Sequence, residues 1–230
     1  TIVLSILIML IGYSFIDEIL VLFGAKGAIF EPAKAYFSSL IIGIPFLAWS
    51  MMSNNAMRAE GAPKKAMMIM IISALVNLVL DPIFIIGFGW GMEGAAYATV
   101  LGYLSSTLYS AMFFAKGNST LKLNRNYFKI KLKYIKSIFT IGSVTLARQG
   151  TVSLLSIVLN HSLFSYGSEI AVAAYGIISR LMMFTNFPVL GITQGFLPIA
   201  GFNFGAKKYD RVISAIKLSI VYGSLIAGSI

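Results

Sequence analysis

Long apolar runs alternate with short polar breaks along the chain, and the runs are of similar length. Windows of about 20 predominantly apolar residues, enough to cross a hydrocarbon core at a rise of about 1.5 Å per residue, recur seven times. They lie at about 3–24, 36–57, 66–87, 94–115, 137–162, 170–198 and 210–230, the last incomplete. The breaks carry turn residues: Gly24 and Gly27 with Glu31-Pro32, then Gly61 and Pro63, then GFGWG, a polar run after Lys116, Tyr166-Gly167, and NFGAKKYDR. This pattern predicts an all-α, polytopic membrane protein. Pro45 and Pro188 fall inside spans, where neighbouring helices can re-satisfy freed backbone groups. They are expected to kink those helices rather than end them.

Composition agrees with the pattern. Hydrophobic residues make up 58% of the 230 and charged residues 11%, and mean hydropathy is +0.86, well above a soluble domain. There is no cysteine, which excludes disulfides and thiolate metal sites, and the single histidine, His161, excludes a cluster of imidazole ligands. Thr1 opens directly into an apolar span and Ile230 closes within another, IVYGSLIAGSI. The chain therefore reads as an interior fragment of a longer polytopic protein. No Ser/His/Asp set, HExxH motif or phosphate-cradling glycine loop occurs at plausible positions, so an enzyme is not expected.

A formal net charge of +10 raises the question of a nucleic-acid partner, and its distribution answers no. Arg58, Lys64 and Lys65 fall in the second connection; Lys116, Lys122, Arg125, Lys129, Lys131, Lys133 and Lys136 in the fourth; Lys207, Lys208 and Arg211 in the sixth. The first connection holds only Lys26 and Lys34, and the third and fifth hold no basic residue. Alternate basic connections are the positive-inside signature, so connections two, four and six are expected in the cytoplasm. The 116–136 segment also has the makings of an anionic-lipid contact, although setting topology accounts for its charge. The lipid bilayer is the expected partner.

Asp81 is the one charged residue between Ala66 and Met92, and an ionisable group at membrane depth is expensive unless it has partners and a purpose. Asn77 precedes it by four residues, on the same helix face. Thr99 enters the next span at matching depth across a short glycine-rich turn. Pro82 has no N–H, which frees the carbonyl of Leu78. A carboxylate, an amide oxygen, a hydroxyl and a free carbonyl are hard donors suited to Na⁺, and the carboxylate alone can take H⁺. Spacing alone leaves an equal alternative, a protonated Asp81 pinned by Asn77 and Thr99 as a helix fastener.

Weaker signals lie elsewhere. Arg148 and Gln149 fall near the middle of the fifth span and Arg180 at comparable depth in the sixth. The arginines are read as contacts for an anionic substrate group, as partners of an acid outside this fragment, or as side chains satisfied by helix carbonyls, with Gln149 beside them in a candidate substrate cavity. Met182, Met183 and Phe184 beside Arg180 are candidate substrate contacts, since methionine adapts to varied shapes. Asp17 and Glu18 are expected at the interface, and His161 as a hydrogen-bonded boundary residue.

The segment MRAEGAPKKAMMIMIISALVNLVLDPIFIIGFGWGMEGAAYATVLG resembles the multidrug and toxic compound extrusion (MATE) transporters, with their Arg-x-x-Gly turn, Asn-x-x-x-Asp-Pro string and Gly-Ala-rich following span. PVLGITQGFLPIAGFNFGAKKYDRV resembles that family's stretch between the eighth and ninth helices. The two segments cover about a third of the chain. The resemblance implies a twelve-helix transporter of two six-helix lobes that exchanges Na⁺ or H⁺ for an organic substrate, in the plasma (inner) membrane of a bacterium. Residues 1–115 would belong to the N-terminal lobe, 116–136 would be the inter-lobe loop, and 137–230 would begin the C-terminal lobe. In one branch the cation site joins an acid on the first helix, Asn and Asp one turn apart on the fifth, and Thr on the sixth. Asn77, Asp81 and Thr99 match the last three, whereas the first-helix acid has no counterpart here. A second branch uses an acid on the seventh helix, where this chain has Arg148-Gln149 and no acid. Two other functions stay open: a flippase for lipid-linked saccharides, favoured by Arg148 and Arg180, and a non-transporting scaffold or receptor. The substrate is expected to be a small organic molecule, cationic or amphipathic, and the sequence leaves oligomeric state open.

Overall fold

The computed structural model describes residues 1–117, 119, 132–167 and 169–229, and every regular element among them is helical. In chain order these are α1 (Ile2–Ser14), α2 (Ile16–Leu22), α3 (Phe30–Ile41), α4 (Ile44–Ala59), α5 (Pro63–Pro82), α6 (Gly91–Ala115), α7 (Leu132–Tyr166), α8 (Glu169–Gly205) and α9 (Tyr209–Ser229). Among the described residues five helices are long and apolar enough to cross a membrane, and seven spans if each of two bent pairs counts as one. Helix fills most of each of the seven expected windows, and the sixth span extends past its expected limit, with Asn186–Gly205 its membrane-length part. Most of the basic segment between α6 and α7, including Lys122, Arg125, Lys129 and Lys131, lies outside the described residues.

Two spans differ from expectation in shape. The first is broken at Phe15 (φ −115°, ψ 33°), and α1 meets α2 at 80°. The second was expected as one helix kinked at Pro45. Instead α3 ends at Ile41, α4 begins at Ile44, and the two halves are bent by 56°. Pro45 is the second residue of α4, a first-turn position where its missing N–H removes no helical bond. The break belongs to Ile42-Gly43: a Cβ on Gly43 would lie 2.9 Å from the Val100 side chain and 3.1 Å from the Leu40 carbonyl. Pro188 does lie inside a continuing helix, and so does Pro198, where the sixth span was expected to stop; α8 runs on to Gly205.

The turn between α4 and α5 shows why the chain reverses there. Gly61 takes φ +80°, its N–H donates to the Arg58 carbonyl at 3.1 Å, and Ala62 N–H donates to the Met57 carbonyl at 2.9 Å. This is the Schellman closure, which satisfies terminal carbonyls and favours glycine at the left-handed position. Pro63 then starts α5.

Helices α1 to α6 form one packed group, in which α5 against α6 is the most extensive pairing, while α8 pairs chiefly with α9. Lipid tails give no hydrophobic drive between helices, so association depends on small residues and interhelical hydrogen bonds. Gly102 on α6 lets Ser73 approach so closely that a Cβ there would sit 2.7 Å from the Ser73 carbonyl oxygen. Between α4 and α6, the Ser50 hydroxyl lies 2.8 Å from that of Ser106 and 3.1 Å from that of Thr107. Thr107 donates to the Phe46 carbonyl at 2.9 Å, and the Trp49 indole donates to Ser110 at 3.0 Å. A small apolar core of Met57, Ala66, Ile69 and Phe113 closes the end near the α4–α5 turn. At the opposite end Phe84, Phe88, Trp90 and Tyr97 form a run of ring contacts with centroids 5.2–5.9 Å apart, the aromatic belt expected at a membrane interface.

Candidate cation site and adjoining cavity

Asn77 and Asp81 occupy successive turns of α5, and Thr99 stands on α6. Close approach at Gly102 brings these faces together. The Asn77 side-chain amide donates to Asp81 Oδ1 at 3.2 Å and to Thr99 Oγ1 at 3.1 Å. Thr99 passes its own proton to the Ala95 carbonyl at 2.9 Å. Among the described residues Asp81 reaches Thr99 only through Asn77. All three are half-buried. Past Asp81 the α-helix gives way at Pro82 to one π turn, Ile83–Gly87, a feature frequent at functional sites. Leu78 is 68% exposed and its side chain is apolar, so only its main-chain carbonyl is a candidate donor. No group of three or more His, Cys, Asp or Glu side chains converges among the described residues.

Beside this cluster lies a cavity of about 500 Å³, within the range of small-molecule sites. Asn77 and Thr99 line one part of it, and Ser73, Tyr103, Ser50 and Ser106 continue the wall. Asn54, Asn55 and Arg58 of α4 and Gln194 of α8 complete the polar lining, with Leu47, Met51, Ile69 and Met70 among the apolar flanks. Asn77 is about 20 Å along α5 from Pro63, so the cavity joins mid-membrane to the α4–α5 turn.

A family model described as MatE matches residues 1–83 and 145–230, the greater part of the chain. The chain belongs to the MATE family. Among MATE relatives, the multidrug export protein MepA of Staphylococcus aureus (strain NCTC 8325 / PS 47) is 30% identical over 221 residues, covering 95% of this chain and 49% of that protein. The chain therefore spans about half the length of the curated relatives it matches. A multidrug resistance MATE family transporter of the MOP superfamily in an outward-facing conformation superposes with a TM-score of 0.86 at 28% identity, covering 98% of this chain and 50% of the other. An inward-facing conformation, also at 28% identity, superposes at 0.79, covering 97% and 51%. The fold expected from the MATE resemblance is thus present: an all-helical, multi-pass membrane protein.

Within the MATE frame the other singled-out residues separate. Arg148 and Gln149 are exposed on α7, and Arg180, Met182, Met183 and Phe184 are exposed on α8. They line neither the cavity beside Asn77 nor a second one of about 460 Å³ between α8 and α9. His161 is hydrogen-bonded, as expected: its Nε2 lies 3.2 Å from the Leu22 carbonyl oxygen, and Asn160 donates to the Phe23 carbonyl at 3.1 Å. Asp17 pairs with Lys34 at 2.8 Å on the exposed edge of α2 and α3. Sequence reasoning missed Ser50, Asn54, Arg58 and Gln194. The available signal was the i, i+4 spacing of Ser50, Asn54 and Arg58, three polar residues on one face of a membrane helix.

Proposed function

We propose that this chain is part of an antiporter in the plasma membrane that exports small organic drugs or toxins in exchange for Na⁺ or H⁺, by alternating access. Residues 1–115 would contribute to one lobe and 137–230 to the other, joined by 116–136. The reading rests on one observation: Asn77 holds Asp81 and Thr99 in a single hydrogen-bonded cluster inside the membrane. The Asn77 amide group now stands where a cation would, donating to the same two oxygens. Turned by 180°, it offers Oδ1, so that a carboxylate, an amide and a hydroxyl oxygen face one point, joined by the Leu78 carbonyl that Pro82 leaves without its helical donor. Protonation of Asp81 is the H⁺ version of the same event.

Either event removes a negative charge at membrane depth beside the π turn. A bound ion shifts a two-state equilibrium only through unequal affinity for the two states, and the Pro82–Gly87 segment is the local element able to differ between them. Arg148 and Arg180, which the saccharide-flippase alternative would use, lie on separate helices and line neither cavity. In the intact transporter, Asp81→Asn is expected to abolish export driven by a Na⁺ or pH gradient while leaving membrane expression unchanged. Undiminished gradient-driven ethidium efflux from vesicles carrying that variant would sink the proposal.

A further inference from the structure

Arg58 does more than supply positive charge to a cytoplasmic connection. Its side chain is half-buried and lines the cavity that begins at Asn77. Nε donates to Asn54 Oδ1 at 2.9 Å, and Asn54 is itself fixed by donating to the Ala66 carbonyl at 2.7 Å. The guanidinium is therefore oriented before any ligand arrives. Its outer edge is poorly used. Nη1 reaches the main-chain carbonyl and the Oε1 of Gln194 on α8, each at 3.4 Å, and Nη2 lies 4.0 Å from the Met70 sulfur. Among the described residues no carboxylate pairs with it, and nearby Glu60 accepts a hydrogen bond from Ser119 at 2.7 Å.

Both Gln194 contacts are longer than ordinary hydrogen bonds, whereas a carboxylate on a guanidinium bonds at about 2.7–2.9 Å, often through two parallel N–H donors. A positioned cation with weak neutral partners, at the wall of a cavity of about 500 Å³ flanked by Met51 and Met70, is a receptor for an anion carried on an apolar body. We infer that Arg58 anchors the carboxylate of an amphipathic anionic or zwitterionic substrate, displacing Gln194 as it does so. This deepens the export reading by naming a substrate class. It departs from the expectation of a cationic substrate, since Asp81 contributes no atom to this cavity wall. Displacing Gln194 also frees α8 from α4, so binding of this group and separation of the two helix groups become one event.

The test compares rhodamine B, which carries a free carboxylate, with its ethyl ester, which lacks it. Affinities for the purified full-length transporter in detergent are read by fluorescence polarisation. Rhodamine B is expected to bind about tenfold more tightly than the ester, as for a hydrogen-bonded charged group. Arg58→Gln should erase that preference so that the two dyes bind equally, Arg58→Lys should keep part of it, and Gln194→Ala should widen it. The lysine variant, with a monodisperse gel-filtration profile, guards against a folding defect in Arg58→Gln. Equal affinity of the natural protein for both dyes, no binding of either, or a preference that survives Arg58→Gln overturns the inference. Failure of the antiporter reading shows separately, as loss of gradient-driven ethidium export by the natural protein, whatever the dye preference.

Discussion

Asn77 joins the cation cluster because its amide carries two N–H donors on one nitrogen and an acceptor oxygen on the other arm, so it can serve two oxygens at once. With its NH₂ toward Asp81 Oδ1 and Thr99 Oγ1, it relieves an acid that would otherwise sit half-buried with little compensation. The same residue can present its oxygen when a cation takes over that role. Ser53 is the opposite case. It is fully buried on α4, and its Oγ has no hydrogen-bond partner among the described residues, although serine hydroxyls in membrane helices commonly find a carbonyl. Removing an unsatisfied buried hydroxyl without changing shape is close to neutral or stabilising. Ser53→Ala is therefore expected to raise the thermal midpoint in detergent, through a gain of about 1 kcal/mol, and a fall of several degrees would show that the hydroxyl has a partner in the intact protein. The acid, amide and hydroxyl were legible from spacing because i, i+4 placement and helix rise fix a shared face and depth. Arg58 was not, because its charge fitted the positive-inside pattern and nothing local revealed that its helix end borders a cavity.

Helices α5 and α6 carry the site together, and their approach is set one turn away from it. Gly102 allows the Ser73 carbonyl within van der Waals reach, and the Asn77–Thr99 bond follows from that spacing. A side chain at 102 must push the helices apart. Gly102→Val is expected to cost about 1–3 kcal/mol, as overpacking does, and to weaken Na⁺-dependent thermal stabilisation as well. A variant that melts earlier yet keeps its full Na⁺ response would separate packing from the site. Span number and span limits were readable because hydropathy and bilayer thickness constrain them directly. The breaks at Phe15 and at Ile42-Gly43 were not, since apolar residues on both sides of a bend give the same hydropathy as a straight helix. Pro45 drew the kink to itself in the sequence reading, but proline at a first turn starts a helix as readily as proline inside one bends it.

At the scale of the molecule, side-chain hydrogen bonds at two places among the described residues tie the first six helices to α7 and α8. Arg58 meets Gln194 where α4 ends, and Asn160 and His161 meet the last carbonyls of α2. The second set satisfies carbonyls that a helix end leaves without partners, so it stabilises a particular docking of α7. Asn160→Ala is expected to loosen that docking, seen as a broadened distance distribution between spin labels on α2 and α7, with little change in α4–α6 distances. An unchanged distribution would assign the docking to other contacts. The order of hydrophobic and polar residues determined by itself that the chain is helical, crosses a membrane repeatedly, and carries an acid with two polar partners at one depth, because these properties follow from helix periodicity and the cost of charge in hydrocarbon. Only the tertiary structure decided that Asn77 bridges Asp81 to Thr99, that two spans are broken, and that Arg58 lines a cavity while Arg148 and Arg180 do not. Those outcomes depend on which helices become neighbours and how closely glycines let them approach, which no single segment encodes.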